Sequence, residues 1–516
     1  MDFLSKILKF YNLDVVDYIE LSKKVTVEGV PHLSSFNNGQ ICLDCLKKHI
    51  ENNSKIIVFG DYDCDGMMAT SIMRIAFKKI NYTNAAFYIP NRYLEGYGLT
   101  VESVKKAISK GFNLIICVDN GISQFEAIDL ARENGIDIII CDHHEIKDEL
   151  PNTPYIIHPE LSNLKSYCSG GYTSFVLAET LIGYFDDYMF VLAGISIISD
   201  LMVLQNENRN IVKYALDILK RKRFKQIDLL AEDNRIDEHI ISNLIAPKIN
   251  SMGRMLEDQN VNLIVKYFAS ENIQDILKLH HYIESVNLER KNLANTYQFN
   301  KDSYEGKSVV IEVLDVKEGL IGLFANKLLD LSNRPAIVFA KTIQEGVLKG
   351  SIRSRYGINV LDLFNVAKEY LIAYGGHDCA AGFSIYEKDL EKFSETIINY
   401  CKDKQFLEKN QEVIDIRFAD ITLENLEILE NFGPFGNGNK APDFRIQNFP
   451  TKSFNYSFDR KHIITKISLN STILCFNVDF DKLNSKFVDF EGVFKANYYK
   501  NRKNANFIIK KISSKD

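Results

Sequence analysis

Short apolar runs alternate with helical periods between residues 55 and 205. KIIVFGD (55–61) breaks off at Gly60-Asp61, and the helix-like stretch MMATSIMRIAFKKI (67–80) follows it. AAFYIP (85–90), NLIICVDNG (113–121), IDIIICDHHE (136–145) and YIIHPE (155–160) repeat the pattern, with helical segments at 101–110 and 123–134 between several of them. This rhythm predicts a parallel α/β sheet. Ligands in such sheets bind at the carboxyl ends of the strands, which is where Asp61, Asp119 and Asp142 stand.

The pattern changes further along. Residues 206–300 are highly charged with helical spacing, and 271–302 reads as one long amphipathic helix connecting two lobes. Strand-like runs return at SVVIEVL (308–314) and PAIVFA (335–340), with helices at 319–331 and 386–403. Glycines gather in LKGSIRS (348–354) and YGGHDCAAGF (374–383), where backbone is expected to approach a ligand. From 412 onward the signals are mostly β, which suggests a small barrel of OB type. The expected divisions are a helical lead over 1–50, a catalytic α/β domain over 51–205, a helical connector over 206–300, a second α/β domain over 301–405 and the barrel over 406–516.

A chain of 516 residues is too long for one core. With 46% hydrophobic and 25% charged residues it has the composition of a globular protein, and a net charge of −6 does not advertise nucleic-acid binding. The sequence holds no apolar run of about twenty residues that would span a membrane. Its first residues carry acids early and lack a signal-peptide cleavage pattern. The nine cysteines fall mostly in apolar runs and read as reduced thiols of a cytoplasmic protein. Cys42 and Cys45 form a single CxxC with no second pair, which reads as a helix-face coincidence rather than a zinc site.

FGDYDCDG places Asp61, Asp63 and Asp65 at spacing two, so on an extended strand all three would share one side. Carboxylates so placed repel unless cations neutralise them, and hard divalent cations prefer oxygen ligands. An EF-hand is excluded, because the run follows a buried strand and loop position twelve has no Glu. Asp119 and Asp200 end two further apolar runs; taken singly, each would read as a helix cap. Asp142-His143-His144 adds a carboxylate and two imidazoles, a mix that suits Mn2+ or a mixed Mn2+/Mg2+ site. His280-His281 lies in a helical period without a preceding acid and reads as structural; His158 also follows a strand and could approach the site, so its role stays open, with a metal ligand the less favoured reading.

VFGDYDCDGMMATSI (58–72), CVDNGIS (117–123), CDHHE (141–145) and SDLMVL (199–204), in this order, resemble the motifs of the DHH phosphoesterase superfamily. NRYLEGYGL (91–99), INSMGRM (249–255), EGLIGLFANKL (318–328), RPAIVFA (334–340), LKGSIRS, YGGHDCAAGF and LENFGPFGNGNKAP (429–442) resemble segments of its RecJ branch of single-strand-specific 5′→3′ exonucleases. The resemblance implies a DHH and a DHHA1 domain joined by a long helix, an OB domain, and two Mn2+ or Mg2+ ions. It implies Asp61, Asp63, Asp65, Asp119, His143 and Asp200 as metal ligands, with Asp119 bridging. His144 would face the scissile phosphate and Asp142 would orient His143 from behind. Arg92, Arg254, Ser351 and Arg353 match positions that grip a 5′-terminal phosphate, His377 would add a phosphate or sugar contact, and Tyr97 would stack near a base.

The resemblance further implies single-stranded DNA as substrate, 5′-mononucleotides as product and a role in DNA repair and recombination. A single-stranded-DNA-binding protein and a helicase as partners, and a monomeric chain, are family expectations of the same kind. The stretch from Lys495 to Asp516 holds seven Lys/Arg with Tyr498, Tyr499 and Phe507 between them, a mix used to bind single strands, or else a solvated barrel edge. Two departures stand out: His158-Pro159 replaces Asn-Pro, and Val316-Lys317-Glu318-Gly319 replaces a His-Glu-Gly, which removes an imidazole. A DHH phosphodiesterase for short oligoribonucleotides or cyclic dinucleotides is the competing enzyme, and the 412–516 segment argues against it. A non-catalytic DNA-binding scaffold would have lost ligand residues that are all present here.

Overall fold

The computed structural model describes residues 2–147, 149–232, 234–255, 261–355, 357–404, 412–478, 483–499 and 502–514, with only the backbone of His377 and Tyr499. The chain forms two compact units. One comprises residues 31–202 and 215–409, and the other 1–30, 203–214 and 410–516.

The larger unit opens with five parallel strands, β1 (Ile56–Phe59), β2 (Ala85–Tyr88), β3 (Leu114–Val118), β4 (Asp137–Cys141) and β5 (Ile156–Ile157), in the order β2-β1-β3-β4-β5. Every residue of β3 is buried, as expected for a central parallel strand covered on both faces. Ile115 and Cys117 of β3 and Ile138 and Ile140 of β4 share one face with Val104, Ala107, Ala127, Ile128 and Ala131 from the helices Val101–Ser109 and Phe125–Glu133. The helices Cys64–Lys79, Gly170–Ile182 and Asp187–Ser199 pack together as a second layer. In the last of these Met189–Ile198 are all buried, and each large apolar side chain contributes about 1.5–3 kcal/mol. That helix is a rigid mount for Asp200, its C-terminal cap.

The expected long helix is Ile273–Thr296, 24 residues, or roughly 36 Å at the α-helical rise. His280 packs within it beside Tyr267, with ring centroids 6.4 Å apart, in keeping with a structural pair. A second sheet follows: β6 (Val310–Val313), β7 (Ala336–Lys341), β8 (Val347–Arg353), β9 (Leu371–His377) and β10 (Ala380–Tyr386), in the order β6-β7-β8-β10-β9. β6 and β7 are parallel across the helix Ile321–Ser332, and the remaining pairs are antiparallel.

The smaller unit holds β11 (Val413–Asp415), β12 (Asp443–Pro450), β13 (Ile463–Ser468), β14 (Ser471–Cys475), β15 (Phe487–Tyr499) and β16 (Arg502–Ser514) in one mixed sheet, β11-β12-β15-β16-β14-β13. Where a barrel was expected, no pairing closes β13 onto β11 among the described residues. The N-terminal helix Phe3–Tyr11 completes this unit's core: Phe3 stacks on Phe444 at 5.8 Å and Tyr11 on Phe432 at 5.1 Å. Arg209 Nη2 donates to the carbonyls of Leu21 (3.3 Å) and Asn431 (2.7 Å), tying the three segments together.

The basic C-terminal stretch, for which the sequence left strand binding and a solvated edge open, lies in the β15–β16 ladder. Phe507 is fully buried in the sheet core, so it offers no stacking surface. Lys503 pairs with Glu430 at 2.6 Å and Lys510 with Asp443 at 2.8 Å, so these two charges are already countered. The side chain of Tyr499 and the whole of Lys500 lie outside the described residues.

Candidate metal centre

The three aspartates after β1 reach one place by a route other than strand alternation. Asp61 follows Gly60 at the strand end, and the chain then turns into the helix Cys64–Lys79. Asp63 is that helix's N-cap, its Oδ1 accepting from the Gly66 amide at 3.1 Å, and Asp65 lies in the first turn. The shared strand face expected for all three is therefore replaced by a strand–turn–helix. Gly66 makes the turn possible, since a Cβ there would meet the Asp61 carbonyl oxygen at 2.5 Å. Asn250 Oδ1 accepts from the Cys64 amide at 2.9 Å and braces the turn from the helix Ala246–Met255.

Asp119 comes directly after β3 with φ of 61°, a left-handed conformation that Asp tolerates better than most residues. Its amide donates to the Cys141 carbonyl at 2.9 Å. The Asn120 side chain donates to the carbonyls of Phe59 (3.0 Å) and Val118 (2.9 Å), so the carboxyl ends of β1 and β3 are tied together. Asp65 sits on the N-terminus of the helix Gly170–Ile182: Oδ2 accepts from the Gly170 amide (2.8 Å) and Oδ1 from the Gly171 amide (2.7 Å). A Cβ on Gly170 would come within 2.5 Å of the Asp119 Cβ, so only glycine permits this approach.

The ligand-type atoms at this centre fall into three overlapping groups, each with its atoms within 4.8 Å of one another: Asp61, Asp63 and Asp119; Asp65, His143 and Asp200; and Asp119, Asp142, His143 and His144. His143 Nε2 joins them, 3.1 Å from Asp119 Oδ1 and 3.5 Å from both Asp65 Oδ2 and Asp200 Oδ2. Burial first, then the neighbouring carboxylates, push Asp61, Asp119 and Asp200 well above the usual carboxylate range. Asp63 is raised for the same reasons. Two unit charges ~4 Å apart repel by about 4 kcal/mol at an effective dielectric of 20, more than the roughly 1 kcal/mol returned by one hydrogen bond. Asp61 Oδ1 is buried with no hydrogen-bond partner among the described residues. Crowded carboxylates, an orphaned oxygen and one imidazole make a donor set that fits hard divalent cations such as Mn2+ or Mg2+.

Asp142 has a different surrounding. Its Oδ1 accepts from the His143 amide (2.7 Å), the His144 amide (3.3 Å) and His144 Nδ1 (2.7 Å), and its Oδ2 from the Ile122 amide (3.0 Å). Although burial opposes it, His144 and these amides hold the Asp142 carboxyl well below its usual range. Burial likewise opposes a charge on His144, but the hydrogen bond and charge of Asp142 outweigh it and push the imidazole up to about 9. The sequence paired Asp142 with His143; the carboxylate does hold the His143 amide, but the imidazole it bonds is that of His144. His144 Nε2 lies 2.9 Å from the Tyr97 hydroxyl, so Tyr97 touches the site's histidine. His158, whose role the sequence left open, has both ring nitrogens engaged: Nδ1 accepts from the Glu160 amide (3.1 Å), which leaves Nε2 to donate to the His144 carbonyl (2.9 Å).

Among the residues expected to hold a 5′-phosphate, Arg254 lies within electrostatic reach of Arg92, Arg353 and the centre's Asp63. Arg92 stacks over Tyr62 at 4.5 Å. Arg353 Nη1 donates to Ser351 Oγ (2.9 Å) and to the Ile352 carbonyl (2.8 Å), and a Cβ on Gly322 would meet its Nη2 at 2.8 Å. Burial, then the charges of Arg92 and Arg290, bring Arg254 down to about 10, with Arg353 a further contributor. Tyr93 donates its hydroxyl to the Arg254 carbonyl. The His377 side chain lies outside the described residues. Lys317, which stands where the family's imidazole was expected, donates to the Met255 carbonyl at 2.9 Å and so fastens the helix Ala246–Met255.

Sequence reasoning missed several of these positions. Gly170 and Gly171 carry no side-chain chemistry, and Ser169-Gly170-Gly171 ahead of an apolar helical run was the available signal. Arg290 was hidden inside the long helix, and Asn250 inside a segment noted for its resemblance alone.

Three domain models match in tandem: the DHH family N-terminal domain over residues 55–219, the DHHA1 domain over 306–403 and the RecJ OB domain over 414–511. The single-stranded-DNA-specific exonuclease RecJ of Bacillus subtilis is 29% identical over 493 residues, covering 90% of this chain. The chain spans 62% of that protein's length. The Escherichia coli protein of the same name is 26% identical over 455 residues, covering 80% of this chain and 78% of its own length. The crystal structure of RecJ in complex with Mn2+ from Thermus thermophilus superposes with a TM-score of 0.80 at 20% identity, over 96% of this chain and 74% of that one. A structure of exonuclease RecJ bound to manganese gives 0.61 at 24% identity, over 72% and 96%. At such identities the structural likeness establishes the fold. The third domain model is RecJ's by name, and the two before it account for most of the larger unit, so the chain belongs to the RecJ family.

Proposed function

We propose that this chain is a metal-dependent 5′→3′ exonuclease that hydrolyses single-stranded DNA to 5′-mononucleotides. The observation that carries the reading is the pair of ligand groups meeting at Asp119 and His143, set beside clustered arginines in a RecJ-family frame. Asp61, Asp63 and Asp119 would hold one divalent cation and Asp65, His143 and Asp200 the other, with Asp119 common to both. When bound, two such cations neutralise phosphate charge and lower the pKa of an attacking water.

The chain's own residues do the rest. The Gly170 and Gly171 amides fix Asp65, and the Cys141 carbonyl fixes the Asp119 backbone. Asp142 keeps His144 charged and aimed, so that Nε2, once it leaves Tyr97, donates to an oxygen of the phosphate being cut. Arg92, Arg254 and Arg353 with Ser351 take the 5′-terminal phosphate, Arg being suited to bidentate contact. Burial and mutual repulsion make that cluster unfavourable without an anion. His377, from β9, is assigned to the same phosphate or its sugar.

A role in repair and recombination, with a single-stranded-DNA-binding protein and a helicase as partners, rests on the family resemblance of the motifs. The test runs the Mn2+-loaded protein in parallel on 5′-phosphorylated single-stranded DNA, the same RNA sequence and a dinucleotide. Processive loss of DNA with the other two spared supports the reading. Preference for the dinucleotide replaces it with a short-substrate phosphodiesterase.

A further inference from the structure

The helix Gly39–Glu51 carries Cys45 and His49 four residues apart, on one face. Asp137, which opens β4, meets them there. His49 Nε2 lies 3.0 Å from Asp137 Oδ2, and ligand atoms of Cys45, His49 and Asp137 all fall within 4.8 Å of one another. Cys45 is buried while the Asp137 side chain is 48% exposed, so the group has one side in the protein and one open to ions and water. His49 Nδ1 is buried without a hydrogen-bond partner among the described residues. Burial, then the charge of Asp137, raises the Cys45 thiol's pKa, and Tyr155 lies near enough for its hydroxyl to lower it against these larger effects. Asp137 and Asp142 stand at opposite ends of β4, so at ~3.3 Å per residue the group is roughly 16 Å from the centre described above.

Nothing in the proposed hydrolysis uses these residues. A thiolate, an imidazole and one carboxylate form a softer donor set than the oxygen-rich centre. It suits Zn2+, which takes Cys, His and Asp ligands in a tetrahedron, and suits Mg2+ poorly. We propose that Cys45, His49 and Asp137 form a separate Zn2+ site that ties the helix Gly39–Glu51 to the amino edge of the parallel sheet, with water or the Tyr155 hydroxyl as fourth ligand. Zn2+ binds the thiolate, so the ion would displace the Cys45 proton on binding. The CxxC is then not the ligand pair: Cys42 stays a buried thiol, and Cys45 works with a residue one turn on and another from the sheet.

The test uses the full chain, stripped with EDTA and titrated with Co2+ as a spectroscopic substitute for Zn2+. A thiolate-to-cobalt charge-transfer band in the near ultraviolet should appear and saturate at the intensity of one thiolate-bound Co2+ per chain, whatever Co2+ the carboxylate centre takes up besides. The band reports this site specifically, because the other ligand groups among the described residues contain no cysteine. It should persist in Cys42→Ser and Asp119→Asn and vanish in Cys45→Ser. No band in the unmodified chain, or a band that survives Cys45→Ser, overturns the proposal. If Cys45→Ser does not fold, His49→Ala decides: the band should saturate only at tenfold or more higher Co2+, and unchanged saturation overturns the site.

Discussion

His143 Nε2 stands 3.1 Å from Asp119 Oδ1, and through this contact two groups of ligand-type side chains become one centre. Asp119 belongs to one group and touches the other, which gives it more to lose than any neighbour. Asp119→Asn should lower turnover at least a thousandfold, a loss of about 4 kcal/mol of transition-state stabilisation. Filter binding of single-stranded DNA should change little. Substantial remaining turnover would contradict a shared ligand at this position.

Gly170 contributes no side chain, yet its substitution should be nearly as damaging. A Cβ there lies 2.5 Å from the Asp119 Cβ, so Gly170→Ala must push the helix N-terminus away from Asp65 or displace Asp119. Turnover should fall at least a hundredfold, about 2.7 kcal/mol, with the circular-dichroism spectrum unchanged. Near-normal activity would show that the close approach is not needed.

Asp142 acts through His144. Asp142→Asn removes the hydrogen bond and the charge that push that imidazole up to about 9. The His144 ring resonance should titrate at lower pH in the variant, and turnover should fall by roughly 10–100-fold, the usual cost of losing a residue that orients an active-site histidine. An unmoved titration would break the link between the two residues.

Arg353 lies with Ser351 beside a cluster of other guanidinium groups. Arg353→Ala should raise KM for 5′-phosphorylated DNA by roughly ten- to a hundredfold, the scale of a lost charge-assisted hydrogen bond. The KM for a 5′-hydroxyl strand should hardly move. Equal effects on both strands would remove Arg353 from the end pocket.

The carboxylates also predict how stability responds to pH. Asp61, Asp119 and Asp200 are raised in the folded chain, so without metal their contribution to stability is full below the ordinary carboxylate pKa and is lost as pH rises through the raised values. A divalent cation offsets that loss. The gain in Tm on adding Mn2+ should therefore be larger at about pH 8 than at about pH 5.5, because protons compete with the cation at the lower pH. A gain independent of pH would mean that the ion binds elsewhere.

The sheet and its acidic rim were legible because apolar runs stop at Asp61, Asp119 and Asp142, and a buried run that ends on a charge marks a strand end. Alternation said nothing about the turn that carries Asp63 and Asp65 into a helix, since residues at spacing two fit either backbone over so short a run. The amides of Gly170 and Gly171 were invisible because they are main-chain groups. Long-range packing was equally hidden: nothing in the period of Phe3–Tyr11 says that it completes a core built some 400 residues later. Phe507 was misplaced because an alternating strand does not declare which of its faces turns inward.

The central claim is an end-dependent, metal-dependent exonuclease, and end polarity tests it most directly. A linear single strand with a 5′-phosphate, labelled at either end, is incubated with the protein and Mn2+ beside a circular strand of the same sequence. The account predicts immediate release of the 5′ label as mononucleotide, slow shortening of the 3′-labelled strand, an intact circle and full arrest by EDTA. Cleavage of the circle at the linear rate, or release of the 3′ label first, would contradict it.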